Sequence, residues 1–546
     1  VQTFKIHKPF LLVLVMTDAK LIDPVPRKES GYRAEYRVNL PENAFFFYST
    51  TNGMGLREEL APIRAASAFE SEYTSDDVII IGDSEKSCYI LAGALSAFRS
   101  LTHFSAVRHA NKFYAINVWQ PEIRKGETPE RVLLLTGDDW RTLLVQYAEE
   151  VRKANNLPEL PPAPHVTGYC SWYYYYENLP QKDFLRNLEI LKSAGNGSKP
   201  LVRIMQIDDG YQPYQGDWLE RCEQWPDSME SVAARISDAG MVPGIWFMPF
   251  VASTASRVYR GHPDWFVRQA DGAPALVQGW SPAPNHIWGF LDMTNDEVRN
   301  HIRNVCRTFY AWGFRYFKLD GLSYGLYPGK YHDPSATAVS AFRLGMKCIR
   351  EVLPDATILA CSPVYLACLG YADHCRCGND TKAEWPMMSS AVHASLSRWW
   401  FFDRWFRADP DVLIVRHDRS ALTPGERRIS ALSAILSGVA FTSDCYDLLS
   451  ENERTLLNLG LELHMTGLFP QKWDYRKWDI IFTGTLNGRR ALAVINDMQE
   501  EMEVDLSEFG FHSALSELLH PRGLCSGTVR IPPHDAMLFS EEETGN

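Results

Sequence analysis

Asp208 and Asp209 stand side by side in QIDDGYQ, Lys318 and Asp320 alternate in FKLDG, and Arg376 and Asp380 lie four apart in CRCGND. Aromatic residues accompany them: Trp172 and Tyr173 in CSWYYYYE, and Trp246 in GIW. A carboxylate two residues from a lysine shares its face of a strand, and the cation favours the ionised acid. Two carboxyl groups on opposite sides of a bond, further polar groups for hydroxyls and an aromatic face for a ring are what glycoside hydrolysis requires. Each residue also has a plainer reading. A strand-end Asp often only caps a helix, Asp380 could sit in a turn, and Lys318 could be a surface cation, although its neighbours are apolar. Capping explains one such Asp more easily than four on three strands, interleaved with Lys and Arg.

Such residues need a frame that brings strand ends together. From about residue 166, short apolar runs alternate with amphipathic helical segments. The candidate strands are VTGYCSW, LVRIMQID, MVPGIWFM, WGFLDM, FRYFKLD, TILACS, YADHCRCG and DVLIVR, and helical patterns such as DFLRNLEILKSAG and AVSAFRLGMKCIREVL follow most of them. Eight such units predict an α/β fold with a central (β/α)8 TIM barrel, in which polar residues at the C-terminal strand ends face the active-site mouth. A doubly wound sheet would call for a Gly-rich phosphate loop after an early strand, and none is found. Residues 1–160 read as an N-terminal antiparallel β-sandwich domain, 161–464 as the barrel and 465–546 as a small C-terminal β-sandwich. The Pro-rich stretch 157–165 links the first two.

Net charge is −12 and there is no basic block, so nucleic acid and anionic membranes are not expected partners. The apolar run Phe10 to Met16 is too short to span a bilayer and reads as a strand. Eleven cysteines show no framework spacing and several lie in apolar runs, which predicts reduced thiols and a cytoplasmic setting. Cys375 and Cys377 are too close for a zinc knuckle, and no metal or organic cofactor is expected.

The strings CSWYYYYENL, QIDDGYQ, GDWLE, GIWFMPF, HPDWFV, GFRYFKLDGL and CRCGNDTKAEW together resemble the melibiase-type α-galactosidases of glycoside hydrolase family 36, most closely its compact members. The resemblance covers about residues 165–450. It implies a retaining exo-α-galactosidase with Asp320 as nucleophile and Asp380 as general acid/base. It further implies substrate contacts from Asp208, Asp209, Trp172, Tyr173, Trp246, Lys318, Cys361 and Arg376, with small α-galactosides as ligands. Two departures stand out. The family's W-x-N-D-P-D reads FRADPD here, with Ala408 in place of Asn. The N-terminal stretch 45–55, where compact relatives place a pocket-closing Trp, offers only Tyr48 as a substitute. An α-N-acetylgalactosaminidase, a galactosyl-transferring enzyme and a non-catalytic sugar-binding relative remain alternatives.

Overall fold

The computed structural model describes residues 114–542 except 162–164, 196–198, 281–285, 475–478 and 521–522, and before them 3–4, 14–16, 31–38, 46–49, 63–64, 72–83 and 86–108. Its centre is a parallel sheet of β1 (Val166–Cys170), β2 (Ile204–Ile207), β3 (Val242–Phe247), β4 (Tyr316–Leu319), β5 (Thr357–Ala360), β6 (His374–Arg376), β7 (Arg407–Asp409), β8 (Val412–Leu413) and β9 (Val439–Thr442). Neighbours run in the order β7-β6-β5-β4-β3-β2-β1-β9-β8. Strands β2, β4 and β9 are buried at every position, as parallel strands covered on both faces must be.

β7 and β8 belong to one length of chain, interrupted at Pro410, which cannot donate to a ladder. Its first half pairs with β6 (Arg376↔Asp409) and its second half with β9 (Val412↔Phe441). The two ends of the curled sheet therefore meet in a single run of residues, 407–413.

Helices Gln181–Ser193, Met229–Asp238, Asp296–Ala311, Ala338–Val352, Trp385–Leu396, Pro424–Ile435 and Glu451–Glu462 connect and follow these strands. Ser228, Asn295, Thr337, Thr423 and Ser450 cap five of them through their side chains, the last three in capping boxes. None of Asp208, Asp209, Asp320 and Asp380 caps a described helix. That removes helix capping as an explanation for these four residues.

The central sheet differs from the expected strand list at two places. The WGFLDM run contributes Ile287–Phe290, which pairs antiparallel with Val251–Ser253 and Leu276–Gln278 in a separate three-stranded sheet after β3. The FKLDG strand is thus the fourth of the parallel sheet, and the strands missing from the list are β7 and β9. Of DVLIVR only Val412 and Leu413 are in a strand.

In the N-terminal region the described strands form a five-stranded and a six-stranded sheet, antiparallel except where Thr3–Phe4 runs parallel to Tyr32–Val38. Leu14–Met16 is a strand, paired with Val132–Gly137; the rest of the Phe10 to Met16 run lies outside the described residues. Beyond residue 464, a six-stranded antiparallel sheet and a two-stranded one enclose their own apolar cluster, including Leu492, Val504, Phe511 and Phe539. Among the described residues no helix is long and apolar enough to cross a membrane.

Candidate active site

The C-terminal ends of β1 to β7 carry the residues singled out above. Asp208 and Asp209 follow the last residue of β2, where the strand's alternation stops, so both can turn inward; both are buried. Gly210 makes that turn with φ +110°, and a Cβ there would lie 2.8 Å from the Glu177 carbonyl oxygen, so glycine is required. The two carboxylates have different partners. Asp208 accepts from Lys318 Nζ at 2.9 Å, Gln206 Nε2 at 2.6 Å and the Cys170 thiol at 3.3 Å. Asp209 accepts from Gln212 Nε2 and, at 3.4 Å, from Gln215 Nε2. Burial, with Asp208 and Glu177 adding to it against the Gln212 bond, pushes the Asp209 carboxyl up to about 7.

Asp320 follows β4 and is partly exposed. It accepts from Trp246 Nε1 at 3.0 Å, from Gly321 N at 2.6 Å and from Ser362 Oγ at 3.2 Å. Burial works against its charge. The Lys318 ammonium, the Trp246 indole, the Cys361 thiol and the Gly321 N–H outweigh burial and hold the carboxyl below the usual carboxylate range. Lys318 acts on Asp320 through space, while its direct hydrogen bond goes to Asp208. Lys318 itself is buried; its loss of water opposes its charge, but Asp208 above all restores it, and its pKa is raised.

Arg376, at the end of β6, is fully buried, and its two terminal nitrogens reach protein groups. It reaches Asp380 Oδ1 at 3.2 and 3.3 Å, the Tyr173 hydroxyl at 2.9 Å and Asp411 Oδ1 at 2.9 Å. The Asp380 side chain keeps 38% of its surface. Asp411 also accepts from Thr381 N at 2.8 Å and Thr381 Oγ1 at 3.1 Å. The residue after Asp380 and the guanidinium beside it are thereby tied to one carboxylate. Gly378 between Arg376 and Asp380 serves close packing: a Cβ there would meet Ser395 Oγ at 2.5 Å and the Ala391 carbonyl oxygen at 2.6 Å.

Cys361, just past β5, is buried. Burial raises its thiol pKa, and Asp320, Arg376, Lys318 and Asp380 all act on it electrostatically. The two proposed catalytic carboxyls thus belong to one electrostatic neighbourhood, which is negative at Asp320 and arginine-braced at Asp380. Ala408 is buried within β7, opposite Cys375.

Trp172 and Trp246 are bridged by a residue that sequence reasoning did not single out. Trp280 lies edge-on to both, at 6.4 and 6.2 Å between ring centroids, and donates its Nε1 to Glu177 Oε1 at 2.9 Å. Ser362, Gln206 and Asp411 were likewise not selected as site residues; only the DPD string hinted at the last. Tyr48 lies in the strand Phe46–Ser49, but its side chain is outside the described residues. Among the described residues no group of three or more His, Cys, Asp or Glu side chains is placed to hold a metal ion.

The melibiase family model matches residues 191–346. A curated relative, the A type blood α-D-galactosamine galactosaminidase of Flavonifractor plautii, is 29% identical over 168 residues, covering 30% of this chain and 15% of that protein. Alpha-galactosidase 1 of Pediococcus pentosaceus is 27% identical over 183 residues, covering 32% of this chain and 23% of the relative. The matched stretches thus span less than a quarter of either relative. In fold, the chain is similar to an α-galactosidase from Thermus thermophilus solved with p-nitrophenyl α-D-galactopyranoside: TM-score 0.64 and 22% identity over 88% of this chain and 96% of that one.

Proposed function

From its place among the melibiase-type members of glycoside hydrolase family 36, we propose that this chain is a retaining exo-α-galactosidase. In this reading the curled parallel sheet is a (β/α)8 barrel over residues 161–464, between β-sandwich domains 1–160 and 465–546. The observation that carries the chemistry is the Asp320 carboxylate, which receives hydrogen bonds from Trp246, Gly321 and Ser362 and is held ionised beside Lys318. An anion so held is suited to attack at an anomeric carbon.

Asp320 displaces the leaving group while Asp380 gives its proton to the departing glycosidic oxygen. A β-galactosyl ester on Asp320 results. Asp380, now ionised, takes a proton from water, which attacks the same carbon from the opposite side, releases Asp320 and restores the α-configuration. Arg376 orients Asp380, and its positive charge balances the ionised form. Asp208, Asp209 and Lys318 accept and donate to the sugar hydroxyls, and Trp172, Tyr173, Trp246 and Cys361 wall the pocket. A neutral small-molecule galactoside suits this set.

The test is product analysis with p-nitrophenyl α-galactoside against its N-acetylgalactosaminide, the second included because one relative is named for an amino sugar. Hydrolysis of the galactoside with α-galactose as first product is expected, and Asp320→Ala should lose ~10³-fold or more in turnover. External azide should partly restore that variant, forming β-galactosyl azide. Release of β-galactose, or near-normal turnover in Asp320→Ala, would refute the mechanism. Preference for the N-acetylated substrate would refute the substrate.

A further inference from the structure

Three large aromatic side chains are conspicuously exposed among the described residues, and two of them, Tyr176 and Trp280 (each 45%), flank Trp172 at the mouth of the site. Tyr176 packs edge-on to Trp172 at 5.4 Å, Trp280 packs edge-on to Trp172 at 6.4 Å, and Trp280 also touches Trp246, whose indole binds Asp320. Trp280 is therefore one ring removed from the nucleophile's own hydrogen-bond partner, yet open to solvent.

Both rings are held in this exposed position. Tyr176 has φ +52°, a left-handed backbone that a bulky residue seldom adopts and that persists only where its surroundings enforce it. Trp280 is held by the bond to Glu177, by Trp288 at 4.6 Å and by His286 at 5.7 Å. They come from two elements, the turn after β1 and the three-stranded insertion after β3. An apolar surface kept open at the rim of a polar pocket calls for a ligand with both characters.

We propose that Trp280 and Tyr176, with Glu177 positioning Trp280, form the leaving-group subsite and take a neutral sugar ring linked to the galactosyl unit. A pyranose or furanose presents C–H groups to an aromatic face and hydroxyls at its edge, and Glu177 Oε2 can accept one such hydroxyl. This rests on the galactosidase reading.

The measured quantity is the ratio of kcat/KM on raffinose to that on α-galactosyl fluoride, whose leaving group has no ring to stack. Trp280→Ala and Tyr176→Ala should each lower this ratio roughly tenfold, the scale of one aromatic contact. Glu177→Ala should lower it in the same direction, and Glu177→Gln, whose carbonyl can still accept from the Trp280 indole, should recover most of the loss. Tyr176→Ala lies outside the insertion, so it gives a result even if Trp280→Ala does not fold. An unchanged ratio, or equal losses on both substrates, would overturn the subsite. A wild-type protein that cleaves neither substrate would overturn the galactosidase reading itself, and the subsite with it.

Discussion

Asp411 holds φ at +78°, a left-handed conformation that costs a non-glycine residue on the order of 1–3 kcal/mol. The conformation aims one carboxylate at Arg376 and at both the N–H and hydroxyl of Thr381. Asp411→Asn should therefore shift the Asp380 loop and lower kcat/KM on raffinose by about 10²-fold, the scale of a misplaced proton donor. The loss should be much smaller on 2,4-dinitrophenyl α-galactoside, whose leaving group needs no proton. Equal losses on the two substrates would mean that Asp411 does not act through Asp380. Asp209 invites a second measurement, on stability. Its carboxyl titrates at about 7 in the folded chain, whereas an unfolded Asp titrates near ~3.9. Between those values the folded state keeps a proton that the unfolded state has released. Stability contributed by this group is thus greatest at low pH and falls as pH rises toward about 7. Asp209→Asn should flatten the decline in unfolding midpoint between about pH 4 and about 7, the window in which the two states differ. The variant should also lose activity on galactosides. A slope identical to wild type would place the titration elsewhere.

At the scale of elements, the turn after β2 is the most exacting. Gly210→Ala places a methyl 2.8 Å from the Glu177 carbonyl oxygen at φ +110°. A loss of about 1–3 kcal/mol in urea unfolding is expected, with turnover reduced because Asp208 and Asp209 ride on that turn. A wild-type midpoint would show that the turn accepts a side chain. The same scale explains what could be read from the amino-acid order. Strands such as IMQI and YFKL are short, mostly apolar runs, each with one polar residue and followed by an acid, and both the parallel sheet and the positions of Asp208, Lys318 and Asp320 follow from them. IWGF has the same character, but pairs antiparallel in the insertion, because a four-residue buried run does not encode its partner's direction. VAFT of β9 is a four-residue run that follows its helix after only Leu436, Ser437 and Gly438, too short for its pattern to mark a separate strand. Trp280 lies between a short strand and a stretch without periodicity, where only the folded arrangement sets it against Trp172 and Trp246.

At the scale of the whole molecule, side chains tie the central sheet's helices to the C-terminal strands. Arg428 forms a two-pronged pair with Asp535 at 2.7 and 2.8 Å, and His520 joins at 3.2 Å. Burial opposes the Asp535 charge, but His520 and Arg428 prevail and bring its carboxyl down to about 2. The stabilisation is present above ~3.9 and is lost as pH falls toward about 2. Asp535→Asn should cost about 2–3 kcal/mol, less than a fully buried pair because Arg428 is partly exposed. Calorimetry should show the C-terminal sheets melting earlier, and an unchanged thermogram would show the contact to be neutral.

The meeting of the sheet's two ends also sets a timetable for synthesis. A nascent chain extended past Asp380 already carries both proposed catalytic carboxyls, yet β1 has only β2 beside it until Val439 arrives to pair with Val166. In the galactosidase reading, catalytic competence thus waits for the last strand of the parallel sheet. A ribosome that stalls before residue 442 presents an open parallel edge, the kind of surface that recruits other chains and calls for a chaperone's protection.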